Sequence, residues 1–195
     1  MQKISARELV LCALFVALIT AGTMVRIPMG TDFFTLQFLF TLLAGLVLGA
    51  RLGTLAVGAY LVLGLIGVPV FASGGGPGYL VQPTFGYLAG FLVQAYFCGK
   101  FSRRLSKINF RNLLLVNLGG MVIVYGIGVT WLYVVSNYVI DAPVPLWTVI
   151  LYSGILQAPP DALLCVAAAG LALRLKKAGI WLVEKESAPV RAEEA

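Results

Sequence analysis

Histidine is absent from the 195 residues, which removes the commonest general base and the commonest metal ligand. Charge is scarce as well. Asp, Glu, Lys and Arg together make up 11% of the chain, against about 25% in an ordinary soluble domain. No GxxxxGK[ST] segment occurs, so ATP binding through a P-loop is excluded. Gly74-Gly75-Gly76 is not followed by the lysine or hydroxyl that a phosphate cradle requires. There is no paired-acid site, no nucleophile with a base near it in sequence, and no metal-ligand cluster. Neither an enzyme nor a cofactor is expected. The three cysteines, Cys12, Cys98 and Cys165, lie in or beside apolar stretches at spacings that fit neither zinc nor a disulfide framework. They read as small buried hydrophobes.

What the chain has instead is apolar surface. Hydrophobic residues make up 60% of it and the mean hydropathy is +0.95, more than a soluble fold of this size can hide. Six apolar segments stand out, approximately Leu9–Val25, Leu36–Ala50, Leu52–Gly67, Leu80–Phe97, Leu113–Tyr138 and Leu146–Leu173. A membrane span needs about 20 such residues. The second and third segments are short. Gly49, Arg51 and Gly53 between them suit a turn, so they are read as a kinked hairpin of two thin helices. The first run is longer than a signal-peptide core and no small-x-small cleavage pattern follows closely, so it is read as a span.

Basic residues set the orientation. With six spans, Arg26 alone falls on one side, and the other 13 of the 14 Lys and Arg fall on the opposite side. Cytoplasmic loops carry the Lys and Arg excess. The expected fold is therefore all-α, with six transmembrane helices in residues 1–178 and both termini cytoplasmic. A short charged tail, 179–195, is expected to be disordered. The basic loop from Lys100 to Arg111 is explained by topology and anionic lipid, and nucleic acid is not an expected partner.

Three connections remain for the outer face, Arg26 to Thr35, Val68 to Tyr79 and Ser136 to Pro145. All contain proline or glycine together with aromatic or aliphatic side chains. They suit lids over an outward-facing pocket, or interfacial turns whose aromatics anchor at headgroup depth.

Asp161 is the residue most in need of explanation. It is the only acid between Asp141 and Glu184, and a charge at membrane depth faces an interior cavity and a partner. Pro159 and Pro160 precede it, which suggests a helix start or a break within the last apolar segment. Its carboxylate then either accepts hydrogen bonds from a ligand such as a urea or amide, or caps the helix. Gln82, Thr84 and Tyr87 belong to VQPTFGYLAGF, where Gly86 and Gly90 allow close helix approach. Gln82, and Gln37 in FTLQ, must each find a partner, on a neighbouring helix or on a ligand. Tyr60, Trp131 and Tyr152 are candidate flat walls of a pocket, or plain packing residues. Ala13 and Ala17 place small residues four apart on the first helix, a spacing that admits a second helix closely.

Several blocks together resemble the BioY family, the biotin-specific substrate-binding (S) components of energy-coupling-factor (ECF) transporters. They are ALFVAL (Ala13–Leu18), RIP (Arg26–Pro28), FTLQ (Phe34–Gln37), LLAGLVLGARLG (Leu42–Gly53), YLVLGLIGVPVFASGGG (Tyr60–Gly76), PTFGYLAGF (Pro83–Phe91) and YGIGVTWL (Tyr125–Leu132). The resemblance runs from Ala6 to about Lys177. It implies a six-helix subunit in the cell membrane of a prokaryote that captures biotin outside the cell. Such a subunit works with an energising module of a transmembrane coupling protein and two ATPases, and Ala13 and Ala17 resemble the small-residue motif shown to the coupling protein. The resemblance carries Asp161 over as a contact to the ligand's polar ring. The family typically reads Pro-Gly-Asp there, with lysine three residues on, whereas this chain has Pro159-Pro160-Asp161 and Leu164. That departure keeps a second ligand class open, a biotin relative such as lipoate or another small carboxylate. Arg26, the one basic residue expected outside, is the candidate partner for a ligand carboxylate. A lipid-acting membrane enzyme and a ligand-free assembly protein are the rival classes.

Overall fold

The structure, a computed structural model, describes residues 4–29 and 32–180. Most of the chain is helical. Helix α1 (Ala6–Met24) begins with a reciprocal cap. Ser5 N donates to Glu8 Oε2 at 2.7 Å, and Glu8 N donates to Ser5 Oγ at 3.3 Å. The helix buries Cys12, Phe15, Ile19, Gly22 and Thr23 against α2, while Ala13 and Ala17 stay exposed.

Helix α2 (Gln37–Leu65) contains one non-helical residue, Gly49, at φ 86° and ψ −179°. Only glycine adopts that conformation without strain. A straight helix would carry Gln37 and Tyr60 about 34 Å apart at 1.5 Å per residue, yet Gln37 Nε2 is 2.8 Å from the Tyr60 hydroxyl. The chain therefore folds back at Gly49 and forms the expected hairpin. Its limbs meet without side chains between them, since a Cβ on Gly53 would lie 2.7 Å from the Ala44 carbonyl oxygen.

Helix α3 (Phe85–Arg104) packs on this hairpin, and α4 (Phe110–Tyr138) packs on α3. The α2–α3 contact is equally close. A Cβ on Gly45 would meet the Ala95 carbonyl oxygen at 2.6 Å, and one on Gly99 would meet Ala50 N at 2.4 Å. Small residues at such crossings are what hold helices together in lipid. Gly99→Ala should therefore lower the thermal midpoint in detergent by roughly 2–12 °C, given about 1–3 kcal/mol for overpacking and about 2–4 °C per kcal/mol. Gly126→Ala, where an added Cβ meets nothing within 4 Å, should leave the midpoint nearly unchanged.

The last apolar segment is not one regular helix. A short α5 (Leu146–Val149) runs into a π-helical stretch (Ile150–Leu156), and α6 (Ala158–Lys177) follows with Pro159 and Pro160 in its first turn. Helix α6 rests on both α2 and α4. Among the described residues, four stretches are long and apolar enough to cross a membrane, namely α1, α2, α4 and Leu146–Lys177.

The all-α expectation needs a correction. The connection from Arg26 to Thr35 is a β-hairpin, with β1 (Arg26–Met29) antiparallel to β2 (Asp32–Thr35) and Ile27 opposite Phe34. Ten residues must reverse the chain between two apolar helices. An extended pair satisfies its own N–H and C=O groups where water is scarce. The tail expected over 179–195 lies, from 181 onwards, outside the described residues.

Candidate functional site

The connection after α2 is a folded plug. Gly67, Gly74 and Gly76 take positive φ near 110°, and Gly76 N donates to the Gly64 carbonyl at 2.7 Å. Phe71 is only 1% exposed, with its ring 5.4 Å from Tyr60 and 4.6 Å from Tyr79 between centroids. It sits over Gly64, where any Cβ would strike the ring. The Arg26 guanidinium donates to the Ala72 carbonyl, which ties the β-hairpin to the plug.

Beneath the plug lies a cavity of about 70 Å³. Thr35, Ala72, Ser73 and Tyr79 form its outer part, and Gln37, Phe38, Thr84, Tyr87 and Phe91 form its walls. Gln157 and Asp161 line it from the start of α6. Among the described residues Asp161 is its only charged lining group. The side chain is 6% exposed, and its Oδ2 accepts a 2.6 Å hydrogen bond from the Tyr125 hydroxyl. No side chain caps α6 through a hydrogen bond, so the carboxylate faces α4 and the cavity and leaves its own helix end alone. Tyr125 is in turn set edge-on against the Tyr87 ring, 6.3 Å away at 90°. Tyr87 has room because residue 128 is glycine, and its hydroxyl donates to the Ser153 carbonyl at 3.0 Å.

Gln37 is fixed by the buried Tyr60, whose hydroxyl accepts from Gln37 Nε2 and donates to the Val70 carbonyl at 3.0 Å. Thr23 Oγ1 is 3.2 Å from the same oxygen. Gln37 thus lines the cavity with its amide nitrogen engaged. Tyr60 therefore stands behind the wall as an anchor and does not line the cavity.

A second hollow of about 250 Å³ adjoins the first, and Ser73 and Thr84 line both. Gln82 lines the second only, and its backbone carbonyl accepts from Trp131 Nε1 at 3.2 Å.

Of the residues singled out in the sequence, Asp161, Gln37, Thr84 and Tyr87 converge on one cavity, with Gln82 next door. Four do not line either hollow, Tyr60 behind the wall and three others. Trp131 packs on Phe85 and Gly86, Tyr152 is 41% exposed, and Arg26 stands outside, bonded to the plug. The aromatic walls are Phe38 and Phe91, 6.1 Å apart, together with Tyr79 and Tyr87. Sequence reasoning missed Phe38, Phe91, Tyr79, Gln157 and Tyr125. Gln157 was within reach of it, because it precedes Asp161 by one helical turn and shares its face.

Comparison with known proteins adds independent findings. The family model described as "BioY family" matches residues 1–180. The probable biotin transporter BioY of Lysinibacillus sphaericus is 37% identical over 177 residues, covering 91% of this chain and 90% of that protein. The biotin transporter BioY of Thermotoga maritima is 40% identical over 172 residues, covering 88% and 96% respectively. The crystal structure of the S-component for biotin from an ECF-type ABC transporter superposes with a TM-score of 0.76 at 29% identity, covering 87% of this chain and 90% of that one.

Proposed function

The chain belongs to the BioY family, and on that premise we propose that it takes up biotin as the substrate-binding subunit of an ECF-type transporter. One observation carries the site assignment. A buried carboxylate, held by Tyr125, opens into a cavity walled by aromatic rings. Biotin's ureido group presents two N–H donors and one carbonyl. Asp161 accepts from the donors, and Thr35 lines the same cavity with a hydroxyl for the carbonyl. Phe38, Tyr79 and Phe91 then pack the ring system. Gln37 adds a second acceptor.

In this reading the two limbs of α2 cross separately, so the chain spans the cell membrane six times with both termini in the cytoplasm. The hairpin and plug form the outer lid, and Arg26 holds them together in preference to pairing with a ligand carboxylate. Ala13 and Ala17 face the coupling protein of an energising module that also contains two ATPases.

Leu164 favours keeping lipoate as the second reading. It is 9% exposed within the apolar core, and among the described residues no cation pairs with Asp161. Calorimetry on detergent-purified protein separates the two. Biotin and dethiobiotin, which share the ureido ring, should bind. Lipoate, which lacks those donors, should bind at least a hundredfold more weakly, because a buried acceptor left without a donor discriminates strongly. Tight lipoate binding without biotin binding would reverse the assignment.

A further inference from the structure

The second hollow has a chemistry that the first does not require. At about 250 Å³ it is the larger of the two, more than a terminal carboxyl group fills. Five hydroxyls line it, those of Ser73, Thr84, Ser136, Thr148 and Ser153, beside the aliphatic Leu132 and Val149. Ser136, Ser153, Leu132 and Val149 form its buried floor, while Ser73 at its mouth is exposed. Among the described residues no charged side chain lines it. At the boundary of the two hollows Thr84 Oγ1 is buried with no hydrogen-bond partner among the described residues, an unfavourable position that a ligand group can relieve.

This set is poorly matched to an ionised carboxylate. A charge moved there loses hydration and meets no counter-ion. A carboxylate accepts from these hydroxyls and from the Gln82 amide but leaves their acceptor capacity unused. An amide presents both an N–H and a C=O, is neutral, and continues beyond its nitrogen into the remaining volume. Arg26 does not alter this, because it lines neither hollow and donates to the Ala72 carbonyl.

Resting on the biotin reading above, we propose that this hollow receives the far end of the ligand's chain as a neutral group, so that the protein binds biotin amides, in which biotin is joined to a small amine, as well as free biotin. The ureido ring remains at Asp161, and the chain passes Ser73 and Thr84 into the hydroxyl-lined space.

Calorimetry on the detergent-purified full chain with biotin, biotinamide and biotinyl-lysine tests this. Dissociation constants for both amides should fall within tenfold of that for biotin. Binding of biotin with both amides more than tenfold weaker overturns the proposal and leaves the biotin reading standing. No binding of any of the three overturns both. Thr148→Phe, which fills the hollow, should weaken biotinyl-lysine at least tenfold more than it weakens biotin, and biotin binding reports that the variant is folded. Equal losses for the two ligands would overturn the placement.

Discussion

Replacing Asp161 by alanine should lower biotin affinity by a factor of about a hundred to a thousand, while the ligand-free protein keeps its thermal stability. The magnitude follows from what the carboxylate does. Hydrogen bonds to a charged group contribute about 1.5–3 kcal/mol each, so two ureido donors give roughly 3–6 kcal/mol. Each step of about 1.4 kcal/mol is a factor of ten, and the expected loss is the lower part of that range because the carboxylate is already shared with Tyr125. One oxygen, Oδ2, is already engaged by Tyr125, but an ionised carboxylate has about four acceptor sites, so capacity remains for a ligand. Stability should hold because a buried acid without a cationic partner contributes little to the fold of the empty protein. Tyr125→Phe should cost less, about tenfold, because it frees the carboxylate from its fixed orientation without removing it. Calorimetry and a melting curve on the same preparations give both quantities. Unchanged affinity in Asp161→Ala would defeat the site assignment.

Asp161 was legible in the sequence because a lone acid in an apolar run is costly wherever it lies. The reversal at Gly49 was legible for a similar reason. GARLG interrupts two runs that are each too short, and glycine with arginine marks a turn more clearly than any periodicity could. The aromatic walls were not legible. In a soluble helix the polar face points outward and indicates by elimination which face is buried. In α3 and in the π-helical stretch before α6 nearly every face is apolar, so Phe91 at the cavity and Tyr152 in the exposed set look alike on paper. Tyr125 was hidden in the same way, since nothing in YGIGVTWL separates a hydroxyl aimed at Asp161 from one at a headgroup. The β-hairpin escaped because strand signals need alternation over 4–8 residues, and each strand here has four residues, one of them interrupted by proline.

Ala13→Trp combined with Ala17→Trp should lower copurification with the proposed energising module, a coupling protein with two ATPases, at least tenfold by band intensity, while biotin binding by the isolated subunit stays the same. Both alanines are exposed on α1 and lie off the face that buries Cys12, Phe15 and Ile19 against α2. Both positions are exposed among the described residues, so two indoles there leave the cavity under the plug untouched. A partner helix meets them directly. Helices associate in lipid through close contact of small surfaces, because lipid tails are as apolar as the side chains and supply no hydrophobic drive. A gap of even 0.5–1 Å forfeits a quarter to a half of each dispersion contact, and two tryptophans open a wider one. Leu115→Trp with Val122→Trp makes the matched control. These α4 residues are 66% and 68% exposed, so they present an equally open apolar face away from α1, and assembly should survive the change. Normal assembly of the α1 double variant would remove Ala13 and Ala17 from the contact. Loss of biotin binding in that variant would show that the substitutions had disturbed the subunit itself, and would place α1 within the support of the cavity through Thr23 and Tyr60.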